Sequence, residues 1–227
     1  MSKVNILISK NQPTSLNWFH RITNECKNEY PMHLISINRN GYVVDLGCNV
    51  GGFIEAFKDS LNTTNILAID ASSYNISEFK KNHPFIKVLH KAIYSVDNTT
   101  VKLKKYLGEG NDDTNSGNFS ITNFICNENN HGYRGEEFEE VETISIETIL
   151  KTTNAIELLK IDVEGAEYDA LYGKDLSDIK YIVGEIHNFL GAEKQNKLFE
   201  WIKKTHREIY SIGEGKVSHF VKMWLRE

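Results

Sequence analysis

The sequence predicts an α/β protein, built on a doubly wound, mostly parallel sheet with a C-terminal antiparallel hairpin. Three observations carry this. From residue 41 onward, short apolar runs rich in β-branched residues alternate with segments of helical period. The first of these runs ends in a glycine-rich turn that opens a helix. The last two strand-like runs are separated by Gly213-Glu214-Gly215-Lys216, a hairpin signal.

Taken in order, residues 4–8 are apolar but far too few for a signal-peptide core or a membrane span. A helix is predicted over 15–29, where Trp18, Ile22 and Cys26 recur at i, i+4 and i+8 as one apolar stripe. That stripe either packs on the main domain or makes residues 1–41 an N-terminal lid over the site. Residues 42–46 form the first buried strand. After the glycine turn, Phe53, Ala56, Phe57 and Leu61 follow at helical spacing. Residues 65–69 are the second strand, 74–82 a helix stopped by Pro84, and 86–89 the third strand. The fourth strand spans 155–161, with a helix over 165–172; the fifth spans 181–186, with a helix over 193–204. Runs 207–212 and 217–225 form the hairpin.

Strands that alternate with helices are joined by right-handed crossovers and so lie parallel. The hairpin then adds an antiparallel strand at one edge. Residues 108–140, rich in Asn, Gly, Asp and Glu, exceed a routine connection and are expected to cap the ligand side of the sheet. The whole of 1–227 reads as a single domain.

Composition narrows the function classes. With 40% hydrophobic residues, 25% charged residues and a net charge of −5, the chain has an ordinary soluble composition. It lacks the basic stripe of a nucleic-acid binder, which argues against nucleic acid as partner. Cys26, Cys48 and Cys126 have no metal-ligand spacing and fit a reducing, cytoplasmic setting. No transmembrane segment is expected, and nothing in the pattern specifies an oligomeric state.

The chemistry begins at Asp45-Leu46-Gly47-Cys48-Asn49-Val50-Gly51-Gly52. In an open α/β sheet, ligands bind beyond the carboxyl ends of the strands, where strand order reverses. Asp45 ends the first strand, so Asp45, Gly47, Asn49 and Gly51 are placed at that crevice as cofactor-binding residues. Glycines let backbone approach a ligand, and the following helix N-terminus offers N–H groups to an anion. A dinucleotide fingerprint needs G-x-G-x-x-G, but Asn49 stands at its middle glycine. That turns the reading from NAD toward S-adenosylmethionine, whose carboxylate Asn49 is suited to bind. Asp70 ends the second strand at the right distance for the ribose hydroxyls, with Ala71 beside it. Ala92 and Ile93, past the third strand, are expected beside the adenine.

A second constellation follows the fourth strand. Lys160 and Asp162 project to one side of that strand, and Glu185 and His187 share the same i, i+2 relation on the fifth. Adjacent parallel strands bring Asp162, Glu164, Glu185 and His187 to one crevice. His187, whose pKa ordinarily lies near working pH, is the expected base. Asp162 is expected to contact cofactor or acceptor, and Asp162 or Glu185 to orient the His187 ring. Asp162, Glu185 and His187 are also a plausible ligand set for Mg²⁺ or Mn²⁺. Lys160 either takes part in the chemistry or holds Asp162 as an ion partner. Glu164 and Glu167 equally suit a helix N-terminus, where carboxylates are simply stabilising.

On these residues the sequence resembles the FkbM-type methyltransferases. The matching pieces are residues 43–53 around the glycine turn, the lead-in 143–149, and above all Lys160-Ile161-Asp162-Val163-Glu164-Gly165-Ala166-Glu167, with Glu185-Ile186-His187 closing strand five. The resemblance implies a class I, Rossmann-like methyltransferase fold and S-adenosylmethionine as donor. It also implies a hydroxyl acceptor on a sugar, glycan or small natural product. One departure is that the second strand ends in Asp70, followed by Ala71 and Ser72, where many relatives end it in Glu followed by Pro. The competing readings are an RNA ribose methyltransferase, for which a basic phosphate track is missing, and a non-catalytic S-adenosylmethionine-binding scaffold subunit.

Overall fold

A computed structural model describes residues 15–104, 124–125, 138–187, 190–213 and 219–227. Its elements run α1 (Ser15–Glu29), a 3₁₀ turn, β1 (Tyr42–Leu46), α2 (Gly52–Leu61), β2 (Ile66–Asp70), α3 (Ser73–Asn82), β3 (Lys87–His90) and β4 (Ala92–Ile93). They continue with β5 (Thr100–Lys104), β6 (Phe124–Ile125), β7 (Phe138–Ile144), α4 (Ile146–Thr153), β8 (Ile156–Ile161) and α5 (Glu167–Leu171). The chain closes with β9 (Ile179–His187), α6 (Ala192–Ile202), β10 (His206–Ile212) and β11 (His219–Arg226).

The main sheet has the order β10-β11-β9-β8-β1-β2-β3, with β3, β2, β1, β8 and β9 parallel. Chain order runs outward from β1 in one direction and from β8 in the other. The crevice of this α/β fold therefore opens beyond the ends of β1 and β8. The hairpin differs in one respect from expectation. Antiparallel β11 inserts between β9 and β10, so β10 and not the antiparallel strand lies at the edge.

Strand alternation sorts the core into two faces. Val44, Leu46, Leu159 and Ile161 face α4 to α6, packing with Ile146, Leu171, Leu198 and Trp224. Val43, Leu158 and Val183 face α1 to α3, packing with Tyr30, Phe53, Phe57 and Phe79. Helix starts are chosen locally: the Ser72 hydroxyl accepts from the Asn75 N–H at 3.3 Å, and Ser145 caps Thr148 in the same way.

A second sheet, ordered β4-β7-β5-β6, was not anticipated. Val101 and Leu103 on β5 and Val141 and Thr143 on β7 alternate with polar residues, the signature of a half-buried pair. That signal was hidden because β7 begins inside the polar stretch assigned to the 108–140 cap. Apart from 124–125 and 138–140, that cap lies outside the described residues, as does the apolar run 4–8. No helix among the described residues is long and apolar enough to cross a membrane.

Candidate active site

The glycine turn is built by close backbone approaches. Gly47 has φ +74°, and a Cβ there would lie 1.7 Å from the Asp162 carbonyl oxygen, so the ends of β1 and β8 tolerate no side chain. Gly51 has φ +93°, and its Cβ would meet the His83 ring at 2.3 Å. His83 Nε2 lies 3.0 Å from the Gly51 carbonyl, and the Asn82 amide donates to the Val50 carbonyl at 2.8 Å. The approach expected between Gly51 and a ligand is therefore an approach to α3. Asn49, at φ +50°, holds the left-handed position that Asn tolerates, and its side-chain oxygen accepts from the Val50 N–H at 2.8 Å.

Asp70 is tied to this turn. One carboxylate oxygen accepts from the Asn49 N–H at 2.8 Å. The other accepts from the Ser72 N–H at 2.8 Å and the Asn75 amide at 3.1 Å. Burial raises its pKa, with the hydrogen bonds pulling against that rise.

Asp45 stands elsewhere than expected. It is fully buried beneath the turn, and Lys160, its register neighbour on β8, reaches it at 3.2 Å. The same ammonium donates to the Gly47 carbonyl at 2.7 Å and lies 3.6 Å from Asp162. Burial opposes the lysine's charge, but Asp45 and Asp162 outweigh it and raise its pKa. Asp45 is thus a structural partner of Lys160 and not a cavity residue.

The ends of β8 and β9 gather three carboxylates around His187. Its Nδ1 lies 2.9 Å from buried Glu167, and its Nε2 lies 3.1 Å from Glu164 and 3.6 Å from Glu185. Glu167 is itself held by the Gly165 N–H at 3.0 Å. Burial disfavours a charged ring, but the bonds to Glu164 and Glu167 push the His187 pKa up to about 11. Burial pushes Glu164 up to about 7 against the pull of its His187 bond. Burial and then Asp162 push Glu185 up to about 9. Glu167 and Glu164 hold the ring at hydrogen-bond distance with Glu185 next to them, and these neighbours favour the charged form of His187 over the free base. Glu164 sits at φ +51°, a left-handed strain of the kind that clusters at functional sites.

A cavity of about 310 Å³ runs along these groups, within the range of small-molecule sites. Gly47, Asn49, Asp70, Ala71, Ala92 and Ile93 line one part. Lys160, Asp162, Glu164 and Glu185 line another, while His187 lies behind Glu164 and Glu185. One Asp162 oxygen, Oδ1, is buried without a hydrogen-bond partner among the described residues. Lys91, paired with Glu142 of β7, joins the second sheet to the rim. Glu25, Cys26, Glu29 and Tyr30 supply a wall from the N-terminal segment. Of these, sequence reasoning noted only Cys26, as part of the apolar stripe. Glu25, Glu29 and Tyr30 continue that face at i+3 and i+4 from Ile22 and Cys26, a helical spacing that was the signal able to find them.

The sequence matches the family model of the methyltransferase FkbM domain over residues 45–214. The fold is similar to an FkbM methyltransferase from Methylobacillus flagellatus, with a TM-score of 0.51 and 12% identity. The match covers 92% of this chain and 49% of that one, so this chain spans about half its length. It is also similar to a Methanococcus jannaschii fibrillarin pre-rRNA processing protein, with a TM-score of 0.51 and 10% identity over 85% of this chain and 69% of that one. A chain of a fibrillarin/Nop5p complex matches with a TM-score of 0.52 and 9% identity, over 90% of this chain and 79% of that one. At such identities the likeness concerns the fold. No curated protein matches the sequence.

Proposed function

Because the chain belongs to the FkbM family of S-adenosylmethionine-dependent methyltransferases, we propose that it methylates a hydroxyl on a neutral or amine-bearing sugar, glycan or small natural product. The observation that carries this reading is the carboxylate wall of Asp162, Glu164 and Glu185 beside the Gly47–Asn49 turn. Carboxylates accept hydrogen bonds from hydroxyl and ammonium groups and repel phosphates. With Glu25 and Glu29 on the facing segment, the wall favours an uncharged or cationic acceptor over nucleic acid or a nucleotide sugar.

The cavity suits the donor as well. Asp70, at the end of β2, is placed to accept from ribose hydroxyls, and Ala71, Ala92 and Ile93 provide an apolar bed for adenine. The N-terminal half of α2 lies beyond Asn49 for the carboxylate. When bound, the cofactor supplies an electrophilic methyl group on a sulfonium. The protein's part is to hold the acceptor oxygen in line and take its proton. Asp162 lines the cavity with a buried, unpartnered oxygen and is assigned as that base, while Glu185, whose burial favours its protonated form, orients the hydroxyl. His187, held by Glu167 behind Glu164 and Glu185, positions both carboxylates.

The test is transfer of labelled methyl to a panel of neutral methyl glycosides, amino sugars, UDP-glucose and an RNA transcript. Label is expected on the first two classes. Preferential labelling of UDP-glucose or RNA would sink the proposal.

One observation favours a metal-assisted version: Asp162, Glu185 and His187 each offer a ligand atom, all within 4.8 Å of one another. Glu167 on Nδ1 is the kind of outer partner that orients a metal-binding imidazole. Mg²⁺ or Mn²⁺ held there would polarise the acceptor oxygen. Titration calorimetry with Mn²⁺ tests this, and absence of saturable binding together with turnover unaffected by EDTA removes it.

A further inference from the structure

The carboxylates of the cavity accept hydrogen bonds but give none in their charged form. An oxygen that loses its proton while attacking a methyl group gains from a donor. Tyr30 stands directly after α1 and is 4% exposed, yet it lines the cavity alongside Glu29. Its ring is fixed edge-on against Phe53, with centroids 5.2 Å apart. Its hydroxyl has no hydrogen-bond partner among the described residues. The hydroxyl is not among the fully buried atoms left without a partner, so it opens onto the cavity, where a ligand oxygen can accept from it.

The segment bearing Tyr30 is held close by packing. At Gly52, a Cβ would lie 2.5 Å from the Ile22 side chain, so α1 sits directly on α2. The Tyr30 N–H donates to the Cys26 carbonyl at 3.0 Å, which sets the residue just past the helix end.

We propose that Tyr30 is an acceptor-binding residue, whose phenol donates a hydrogen bond to the oxygen being methylated while Asp162 takes that oxygen's proton. This rests on the hydroxyl-acceptor reading above. In the balanced step, the O–H proton passes to the Asp162 carboxylate, oxygen forms the bond to the methyl carbon, and the carbon–sulfur pair stays on sulfur. Tyr30 keeps its own proton throughout. Burial, and then the charges of Asp162 and Glu185, raise its pKa well above the usual phenol value, so it remains a donor at neutral pH. Tyr30 lies outside the matched stretch 45–214, so the N-terminal segment adds a group that the family match does not cover.

The test is Tyr30→Phe, which keeps the ring against Phe53 and removes only the hydroxyl. Affinity for S-adenosylhomocysteine, measured by calorimetry, is expected to stay within about twofold of wild type. With the neutral methyl glycoside that takes label best, kcat is expected to fall about 100-fold, with a smaller change in KM. Unchanged kcat, or a loss of S-adenosylhomocysteine affinity as large as the loss of turnover, overturns the assignment. Wild-type protein that binds S-adenosylhomocysteine but labels no glycoside overturns the hydroxyl-acceptor reading, and the role of Tyr30 falls with it.

Discussion

The Lys160 ammonium donates to the Gly47 carbonyl at 2.7 Å, so a buried side chain of β8 holds the turn that follows β1. The same nitrogen faces Asp45 at 3.2 Å and Asp162 at 3.6 Å. One cation thereby fixes the donor side of the cavity and a carboxylate of its acceptor side.

Lys160→Met should leave Asp45 buried without its counter-ion. Stability is expected to fall by about 3–5 kcal/mol, with S-adenosylhomocysteine affinity weakened roughly tenfold through the displaced turn. Adding Asp45→Asn should restore part of the stability. Urea unfolding and calorimetry check both, and a wild-type unfolding midpoint in Lys160→Met contradicts the account.

Two glycines separate close approach from backbone strain. Gly173, at φ +81°, has nothing within 4 Å of the place a Cβ would take, so Gly173→Ala should cost only about 1–2 kcal/mol. Gly47→Ala adds a clash with the Asp162 carbonyl at 1.7 Å and should prevent stable folding. Thermal melts of the pair decide it, and equal costs would refute the packing argument.

Asp162 and His187 should part company on mutation. Asp162→Asn is expected to lower turnover by about 10²–10⁴-fold while S-adenosylhomocysteine binding persists. His187→Gln removes the ring held between Glu164 and Glu167 and should cost about 3 kcal/mol of stability as well as turnover. If Asp162→Asn turns over normally, the base lies elsewhere.

Asp97 offers a pH prediction remote from the cavity. Its carboxylate accepts from the Ser145 N–H at 2.7 Å, the Ser145 hydroxyl at 2.9 Å and the Thr148 hydroxyl at 2.8 Å, pinning the start of α4. Burial opposes the charge, but these bonds lower its pKa. A depressed carboxylate stabilises the fold above its unfolded pKa, and that stabilisation fades as pH falls through the folded value. Asp97→Asn should therefore cost about 1–2 kcal/mol at pH 7, and the gap should begin to narrow below about pH 4 and close only once pH falls beneath the depressed folded value. A difference that does not narrow at all as pH falls from about 4 toward 2 would show that charge is not the cause.

Much of the fold was legible because its signals are local. Period-two and period-3.6 patterns marked the strands and helices from 42 to 90, and the run from Lys160 to Glu167 marked the turn after β8. β5 and β7 escaped notice because their alternation borders a long polar stretch, and their pairing joins residues about forty apart in sequence.

By itself, the sequence determined the alternating architecture, the glycine turn at the end of β1, and the placing of Asp70, Asp162 and Glu185 at the crevice. Strand period dictates which side a residue faces and strand order dictates which ends converge. Only the tertiary structure decided partners. It set Asp45 against Lys160, turned Gly51 to His83, surrounded His187 with Glu164, Glu167 and Glu185, and brought Tyr30 of the N-terminal segment to the cavity. Ionisation and hydrogen bonding depend on neighbours within a few ångströms, and those neighbours come from elements distant in the chain.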